Sequence, residues 1–202
     1  MVTYPTTQVI EPLVLHLGPY SQRMDDDQYF FEFCQLNPEL RIERSCKGDL
    51  IIMPPTGGST GIINSDSLGI LYNWKEKDGT GLIFDSSTGF TLPNGAKRSP
   101  DLSWVKKDRW NLLTQKEQDK FPPICPDFVA EIRSVTDDLN TLKNKMVEYI
   151  ENGARLGWLI DPVDGQVLIY RPNCDVETIR THAVIKGDPV LPGFELDTRK
   201  LW

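Results

Sequence analysis

The fold is decided by residues 126–161, which read PDFVAEIRSVTDDLNTLKNKMVEYIENGARLGWLID. Residues 126–133 predict a strand, because Phe128, Val129, Ala130 and Ile132 give it the apolar character that is typical of a buried strand. Asp137 and Asp138 then precede a predicted helix, which we expect to end at Gly153. The apolar residues of that segment fall on one helical face: Leu139, Leu142, Met146, Tyr149 and Ile150. Residues 156–160 predict a second strand, so the order strand, helix, strand predicts a right-handed crossover.

The chain on either side adds further strands and helices to this unit. The predicted strands cover residues 40–44, 49–53, 81–85, 89–92, 98–105 and 167–170. The predicted helices begin at residue 24, at residue 59 and near residue 114, and the second of them ends at residue 77. We expect residues 1–23 to be irregular and residues 24–202 to form a single α/β domain with a central mixed sheet flanked by helices.

The composition limits the classes of protein that the chain can represent. Its 202 residues carry a net charge of −7 and contain no stretch that resembles a signal peptide or a membrane span, so we expect a cytoplasmic protein. The four cysteines include no C-x-x-C pair, which argues against structural zinc, and in a cytoplasmic protein we expect them to be reduced thiols. Proteins that bind duplex DNA use basic surfaces, so the net negative charge of this chain argues against nucleic-acid binding. If the chain does bind nucleic acid, it needs a local basic patch.

Two acidic residues are candidate metal ligands. Asp101 follows Ser99-Pro100, and Glu131 lies in the middle of the apolar segment Phe-Val-Ala-Glu-Ile. If their strands are neighbours, both carboxylates can point at one spot and bind a hard divalent cation such as Mg²⁺. Two alternatives stay open, since Asp101 can be a plain turn residue after a proline and Glu131 can lie on the solvent face of a half-exposed strand.

Two basic residues follow the second acid. Arg133 stands two positions after Glu131, so strand alternation puts both side chains on one face, where the guanidinium can hold a phosphate or form an ordinary ion pair. Lys145 lies beside the buried face of the next helix and can lean toward the sheet. A solvated lysine that pairs with Glu148 or Glu151 is the alternative reading of its spacing.

Two other kinds of site are disfavoured. The glycines of residues 56–61 are not followed by the Gly-Lys-Ser/Thr of a phosphate-binding loop, so we expect no nucleotide cofactor. Serine hydrolase chemistry needs a base, and neither His16 nor His182 has a position that suggests a catalytic triad.

The sequence resembles the Uma-type restriction endonucleases, a bacterial family of the PD-(D/E)-x-K nuclease superfamily. The resemblance runs from about Asp25 to Trp202, nearly the whole chain. It is carried by RIER (41–44), GDLIIMPPTG (48–57), RSPDLSWV (98–105), PDFVAEIRS (126–134), KMVEY (145–149), NGA (152–154), GWLIDP (157–162) and LPGF (191–194).

The resemblance implies a restriction-endonuclease-like core and a metal-dependent phosphodiester hydrolase whose acids match Asp101 and Glu131. The superfamily usually has a lysine two positions after the second acid, where this chain has Arg133, and in this family Lys145 on the next helix matches the lysine instead. Glu43 matches an acidic residue of the N-terminal hairpin, which makes it an additional ligand, an orienting carboxylate or simply an exposed strand charge. The chain also has Ser134-Val135 where the family commonly has Ser-Pro.

The leading hypothesis is therefore a DNA endonuclease that uses Mg²⁺, with Mn²⁺ as a substitute, held by Asp101 and Glu131. Lys145 would assist the attack of water or stabilise charge, and Arg133 would position phosphate. The alternatives are a catalytically silent nucleic-acid or protein-binding module on the same fold, and a hydrolase of RNA or of a cyclic nucleotide. A homodimer is expected, because cutting two strands with one site per chain is easiest with two-fold symmetry. No membrane association is expected.

Overall fold

The computed structural model describes residues 13–15, 23, 26–180 and 182–201. Most of the segment predicted to be irregular, residues 1–23, lies outside these ranges. Within it, the backbone of Leu13–Leu15 forms a short strand that pairs with residues of the first hairpin, so the prediction of an irregular segment is wrong at that point.

The described part of the chain contains five α-helices, thirteen strands and a short 3-10 helix at Thr198–Lys200. The helices are α1 Asp27–Leu36, α2 Gly58–Asp78, α3 Lys107–Trp110, α4 Gln115–Gln118 and α5 Leu139–Glu151. The strands are β1 Leu13–Leu15, β2 Arg41–Arg44, β3 Leu50–Met53, β4 Gly81–Asp85, β5 Phe90–Thr91, β6 Lys97–Arg98, β7 Leu102–Lys106, β8 Phe128–Ile132, β9 Leu156–Asp161, β10 Gln166–Tyr170, β11 Glu177–Arg180, β12 Val184–Lys186 and β13 Glu195–Asp197.

The main sheet has six strands in the order β11-β10-β9-β8-β7-β4. β8 and β9 are parallel neighbours joined through α5, as the crossover predicts, and the other neighbours are antiparallel. α5 begins where the Asp138 side chain accepts a hydrogen bond from the backbone N–H of Thr141, and it ends before Gly153, whose φ is 107°. The predicted mixed sheet flanked by helices is confirmed.

The second sheet has the order β1-β3-β2-β6-β5 and contains the predicted hairpin of β2 and β3. The prediction of one strand over residues 98–105 is wrong, because the chain leaves the second sheet after Arg98 and enters the main sheet at Leu102. Pro100 lies in this crossing, where its missing N–H breaks no strand pairing. Asp101 is thereby placed directly before β7, at a point where the two sheets approach each other.

Two apolar clusters cover the two faces of the main sheet. Phe128, Ala130 and Ile132 of β8 belong to the cluster that packs against α2, whereas Val129 belongs to the cluster that packs against α5. Since side chains alternate along a strand, Glu131 points to the same face as Val129. Glu131 therefore lies on the α5 side of the sheet.

Across the described ranges, no helix combines the length and the apolar composition that crossing a membrane would require.

Candidate functional site

A cleft of about 600 Å³ lies where the two sheets and α5 meet. Its walls come from the β2–β3 hairpin, the first half of α2, the start of β7, the end of β8 and the exposed side of α5. Four of the five residues predicted to form the site line this cleft: Glu43, Asp101, Glu131 and Lys145. The fifth, Arg133, does not.

Asp101 is held by the backbone of the neighbouring strand. Its Oδ2 accepts a hydrogen bond of 2.9 Å from the backbone N–H of Ile132, so the bend at Asp101 is bonded to β8 as well as to its own neighbours in sequence. Its Oδ1 has weaker neighbours, with the side-chain amide of Asn64 at 3.4 Å and a guanidinium nitrogen of Arg41 at 4.0 Å. Burial raises the pKa of the Asp101 carboxyl, although the Ile132 amide, Lys145 and Arg41 oppose the rise.

Glu131 is 5% exposed, so the alternative of a solvent-facing strand residue is wrong. Its Oε1 accepts two bonds, one from the Lys145 ammonium at 2.9 Å and one from the Tyr149 hydroxyl at 3.0 Å. No residue in the described ranges donates a hydrogen bond to Oε2. Burial, with the nearby Asp101 and Glu43 carboxylates, raises the pKa of Glu131 to about 7 against the opposing charge of Lys145.

Lys145 joins the main sheet to the second sheet. Its ammonium lies 2.9 Å from Oε1 of Glu131 and 2.9 Å from Oε1 of Glu43, and its side chain is 11% exposed. The alternative of a solvated lysine paired with Glu148 or Glu151 is therefore wrong. Burial acts to lower the pKa of Lys145, but the two carboxylates raise it above its ordinary value. Lys145 is thus a permanent cation at neutral pH.

Glu43 is an internal carboxylate rather than an exposed strand charge, with 2% of its surface exposed. Oε1 accepts from Lys145 and from the backbone N–H of Ser99 at 2.8 Å, and Oε2 accepts from Arg98 at 3.0 Å. Burial acts to raise the pKa of Glu43, but Lys145, Arg98 and the Ser99 amide together lower it. Because both oxygens are occupied by donors, the geometry favours an orienting role for Glu43 over metal ligation.

Arg133 lies apart from this cluster. Its guanidinium bonds both oxygens of Asp161, at 3.1 and 3.2 Å, and Oδ2 of Asp164 at 2.9 Å. Asp161 is fully buried, so the pair is held inside the fold. The arrangement is the ordinary ion pair that the sequence left open as the alternative to phosphate binding.

The donor chemistry of Asp101 and Glu131 suits a hard divalent cation. Each carboxylate has one oxygen fixed by strong donors and one oxygen with weak donors or none, and each lines the cleft. Within the described residues, no group of three or more acidic, histidine or cysteine side chains is arranged to hold a metal. Mg²⁺ does not require such a group, since proteins commonly bind it through one or two carboxylates together with waters and substrate phosphates.

Sequence reasoning missed four polar residues that support these groups. Tyr149 donates to Glu131, Asn64 approaches Asp101, and Arg98 bonds Glu43 and, through Nε, Oε2 of Glu148 at 2.6 Å. Tyr149 stands four positions after Lys145, and this helical spacing could have indicated a shared role. Arg98 and Asn64 had no comparable signal, because their partners are distant in sequence.

Comparison with known proteins supports this reading of the fold. The family described as "Uma2: Putative restriction endonuclease" matches residues 27–199. The fold is similar to the crystal structure of "a putative nuclease belonging to DUF820 from Anabaena variabilis ATCC 29413", with a TM-score of 0.69 and 22% sequence identity over 81% of this chain and 90% of that chain. A search of curated proteins found no match.

Proposed function

This chain belongs to the Uma2 family of restriction-endonuclease-like proteins, and on that premise we propose that it is a metal-dependent endonuclease that hydrolyses phosphodiester bonds of DNA. The observation that carries the proposal is the pair of carboxylates on the cleft, Asp101 and Glu131, with the Lys145 ammonium 2.9 Å from Glu131. Membership of this family supports a hydrolase that acts on nucleic acid. We add to this that the substrate is DNA and that the reaction depends on a divalent metal.

Asp101 and Glu131 are the residues that would hold Mg²⁺ or Mn²⁺. When bound, the ion supplies a Lewis acid for the phosphate and acidifies a water molecule. The hydrogen bonds from Ile132 and Tyr149 orient the two carboxylates, so little reorganisation is needed when a cation arrives.

Lys145 acts as a fixed positive charge. Its raised pKa rules it out as a general base at neutral pH, because it has no free electron pair with which to accept a proton. A protonated amine beside the cleft stabilises the negative charge that develops on the phosphate oxygens and on the leaving oxygen. Glu43 positions this ammonium from the opposite side.

A nicking assay on supercoiled plasmid tests the proposal. The parent protein should nick plasmid in Mg²⁺ or Mn²⁺, and Asp101→Asn should abolish nicking. Lys145→Met should slow it by roughly 10²-fold, the usual loss when one preorganised charge is removed. Lys116→Ala, which removes an exposed lysine outside the cleft, is the matched control and should nick like the parent. An Asp101→Asn protein as active as the parent would contradict the proposed site.

One observation favours the second candidate, a catalytically silent module on the same fold. Among the described residues that line the cleft, seven carry carboxylates and only four carry cationic side chains, and the whole chain has a net charge of −7. Calorimetric titration with Mn²⁺ separates the candidates, because a silent module has no need to bind the ion. Competition by RNA or by cyclic nucleotides in the nicking assay tests the third candidate, a hydrolase of another phosphodiester.

A further inference from the structure

The four cationic residues that line the cleft fall into two pairs. Arg98 and Lys145 are each 11% exposed and are bonded to buried carboxylates of the cluster. Arg41 and Lys47 both belong to the β2–β3 hairpin, which forms one wall of the cleft. Only this second pair has charge available to a ligand.

Arg41 lies beside the proposed metal ligand. Its side chain is 39% exposed, with one terminal nitrogen 4.0 Å from Oδ1 of Asp101 and 3.3 Å from the carbonyl oxygen of Ser86. A guanidinium has five N–H donors, so most of its donors remain free to bind another group. A phosphate group that enters the cleft beside Asp101 would come within reach of the Arg41 guanidinium.

Lys47 is exposed at the turn of the same hairpin, and its ammonium has no ion pair with any residue in the described ranges. The backbone around it is braced, because the Ser45 hydroxyl accepts hydrogen bonds from the N–H groups of Lys47 at 3.2 Å and Asp49 at 3.1 Å. Gly48, with φ 92°, allows the chain to turn back into β3. These hydrogen bonds therefore fix the backbone of the turn that carries Lys47.

We propose that the β2–β3 hairpin is the surface that binds the DNA backbone, with Arg41 on the phosphate next to Asp101 and Lys47 on another phosphate of the same substrate. This inference rests on the proposed function. It identifies the local basic surface that a chain with an overall negative charge needs in order to bind DNA.

The spacing along the hairpin places the two cations on separate phosphates. A strand advances roughly 3.3 Å per residue, so Arg41 and the turn are on the order of 10 Å apart, more than the ~3.4 Å axial spacing of phosphates on one strand. Contacts of this kind do not depend on base identity, and the hairpin should therefore bind unrelated sequences equally well.

Fluorescence anisotropy with a short fluorescein-labelled DNA duplex tests the inference. Binding is measured over a range of salt concentrations in Ca²⁺, a hard cation that binds oxygen ligands, and again in EDTA. Arg41→Ala and Lys47→Ala should each weaken binding roughly tenfold and reduce the slope of log K against log salt by about 0.9. Two duplexes of unrelated sequence should lose the same factor.

Lys116→Ala is the matched control, because it removes the same charge from an exposed position outside the cleft. It should bind like the parent. Lys47→Ala changes only an exposed side chain in a turn, so we expect this variant to fold. It still tests the inference if Arg41→Ala fails to fold. Arg41→Lys should retain part of the affinity, since it keeps the charge and loses the guanidinium fork.

Two results would overturn the inference, and they differ in what they say about the proposed function. If the parent binds the duplex but Arg41→Ala and Lys47→Ala bind with the affinity of Lys116→Ala, DNA is bound elsewhere and the endonuclease proposal stands. If the parent binds no duplex at any salt concentration, both proposals fail together.

Discussion

At Glu131, the two oxygens of one carboxylate have different surroundings. Oε1 accepts hydrogen bonds from both Lys145 and Tyr149, and these donors fix the rotamer of the side chain. Tyr149 is fully buried, and burial together with Glu131 and Glu43 raises the pKa of its hydroxyl, so it keeps its proton and acts as a donor. Tyr149 is therefore a positioning residue, which acts on a ligand rather than on substrate.

Removal of the Tyr149 hydroxyl should weaken metal binding without unfolding the protein. Tyr149→Phe keeps the ring in the core and loses one bond to Glu131, so the affinity for Mn²⁺ measured by calorimetry should fall on the order of tenfold. Tyr170→Phe is the matched control, because Tyr170 is also buried and its hydroxyl has no bond to a described residue. Equal Mn²⁺ affinities for the two variants would show that the Tyr149 hydroxyl has no part in positioning Glu131.

The ionisation of Glu131 should make the metal-free protein less stable as pH rises. Its pKa is raised from the ordinary 4.5 to about 7 in the folded protein, so folding favours the protonated carboxyl. This contribution to the free energy of unfolding is complete below the unfolded pKa and is lost as pH rises through about 7.

Glu131→Gln removes this titration and keeps an acceptor for Tyr149. Urea unfolding in EDTA at several pH values between 4.5 and 8 compares the parent with the variant. Across that range, the free energy of unfolding of the parent should fall by on the order of 1–3 kcal/mol more than that of Glu131→Gln. If the free energies of unfolding of the two proteins change with pH in parallel, the folded protein stabilises the Glu131 carboxylate to the same extent as water does, and the prediction is wrong.

At the scale of elements, the main sheet is packed closely on both faces. β4 is an edge strand, and its first residue, Gly81, lies against the ring of Trp104, which is 2% exposed. A Cβ added at Gly81 would lie 2.1 Å from two atoms of that ring. The ring is enclosed by Trp74 and the core around Phe128, so it has little room to move.

Gly81→Ala should therefore destabilise the protein by about 1–3 kcal/mol, the usual effect of overpacking a core. Gly69→Ala in α2 is the control, because no heavy atom lies within 4 Å of its added Cβ. It should stabilise the protein by up to ~1 kcal/mol through the helix propensity of alanine. Both values are obtained from urea unfolding, and a Gly81→Ala protein as stable as the parent would contradict the close contact.

At the scale of the whole molecule, buried charges connect the two sheets. Glu43 of β2 and Arg98 of β6 belong to the second sheet, whereas Glu131 of β8 belongs to the main sheet, and Lys145 and Glu148 come from α5. The ion pairs between them form a continuous chain of alternating charge. Separating the sheets would leave several buried charges without partners, which costs several kcal/mol.

We therefore propose that residues 24–202 unfold as one domain. Thermal unfolding followed by far-ultraviolet circular dichroism and by tryptophan fluorescence should give one coincident transition. Glu43→Gln should shift both signals together to a lower temperature, because it weakens the link between the sheets. Two separated transitions in the parent would show that the sheets are independent units. The homodimer stays a prediction, which light scattering after gel filtration tests directly.

The sequence by itself determined the local elements and the face on which each side chain lies. Apolar periodicity predicted β8, α5 and β9 in their order, and the apolar residues around Glu131 indicated that it lies in a buried strand. Helical spacing placed Lys145 beside the buried face of α5. These predictions succeed because the repeats of a strand and of a helix are short, and a few neighbouring residues are enough to specify them.

Only the tertiary structure decided which distant residues meet. The chain changes sheets between Arg98 and Leu102, which brings Asp101 to β8 and brings Glu43 of the second sheet to Lys145. Alternation predicted that Arg133 shares a face with Glu131, but Arg133 follows the last residue of β8, and the structure pairs it with Asp161 of β9. The physical reason is that such contacts depend on how two sheets pack through a shared core, and local periodicity along the chain carries no information about that packing.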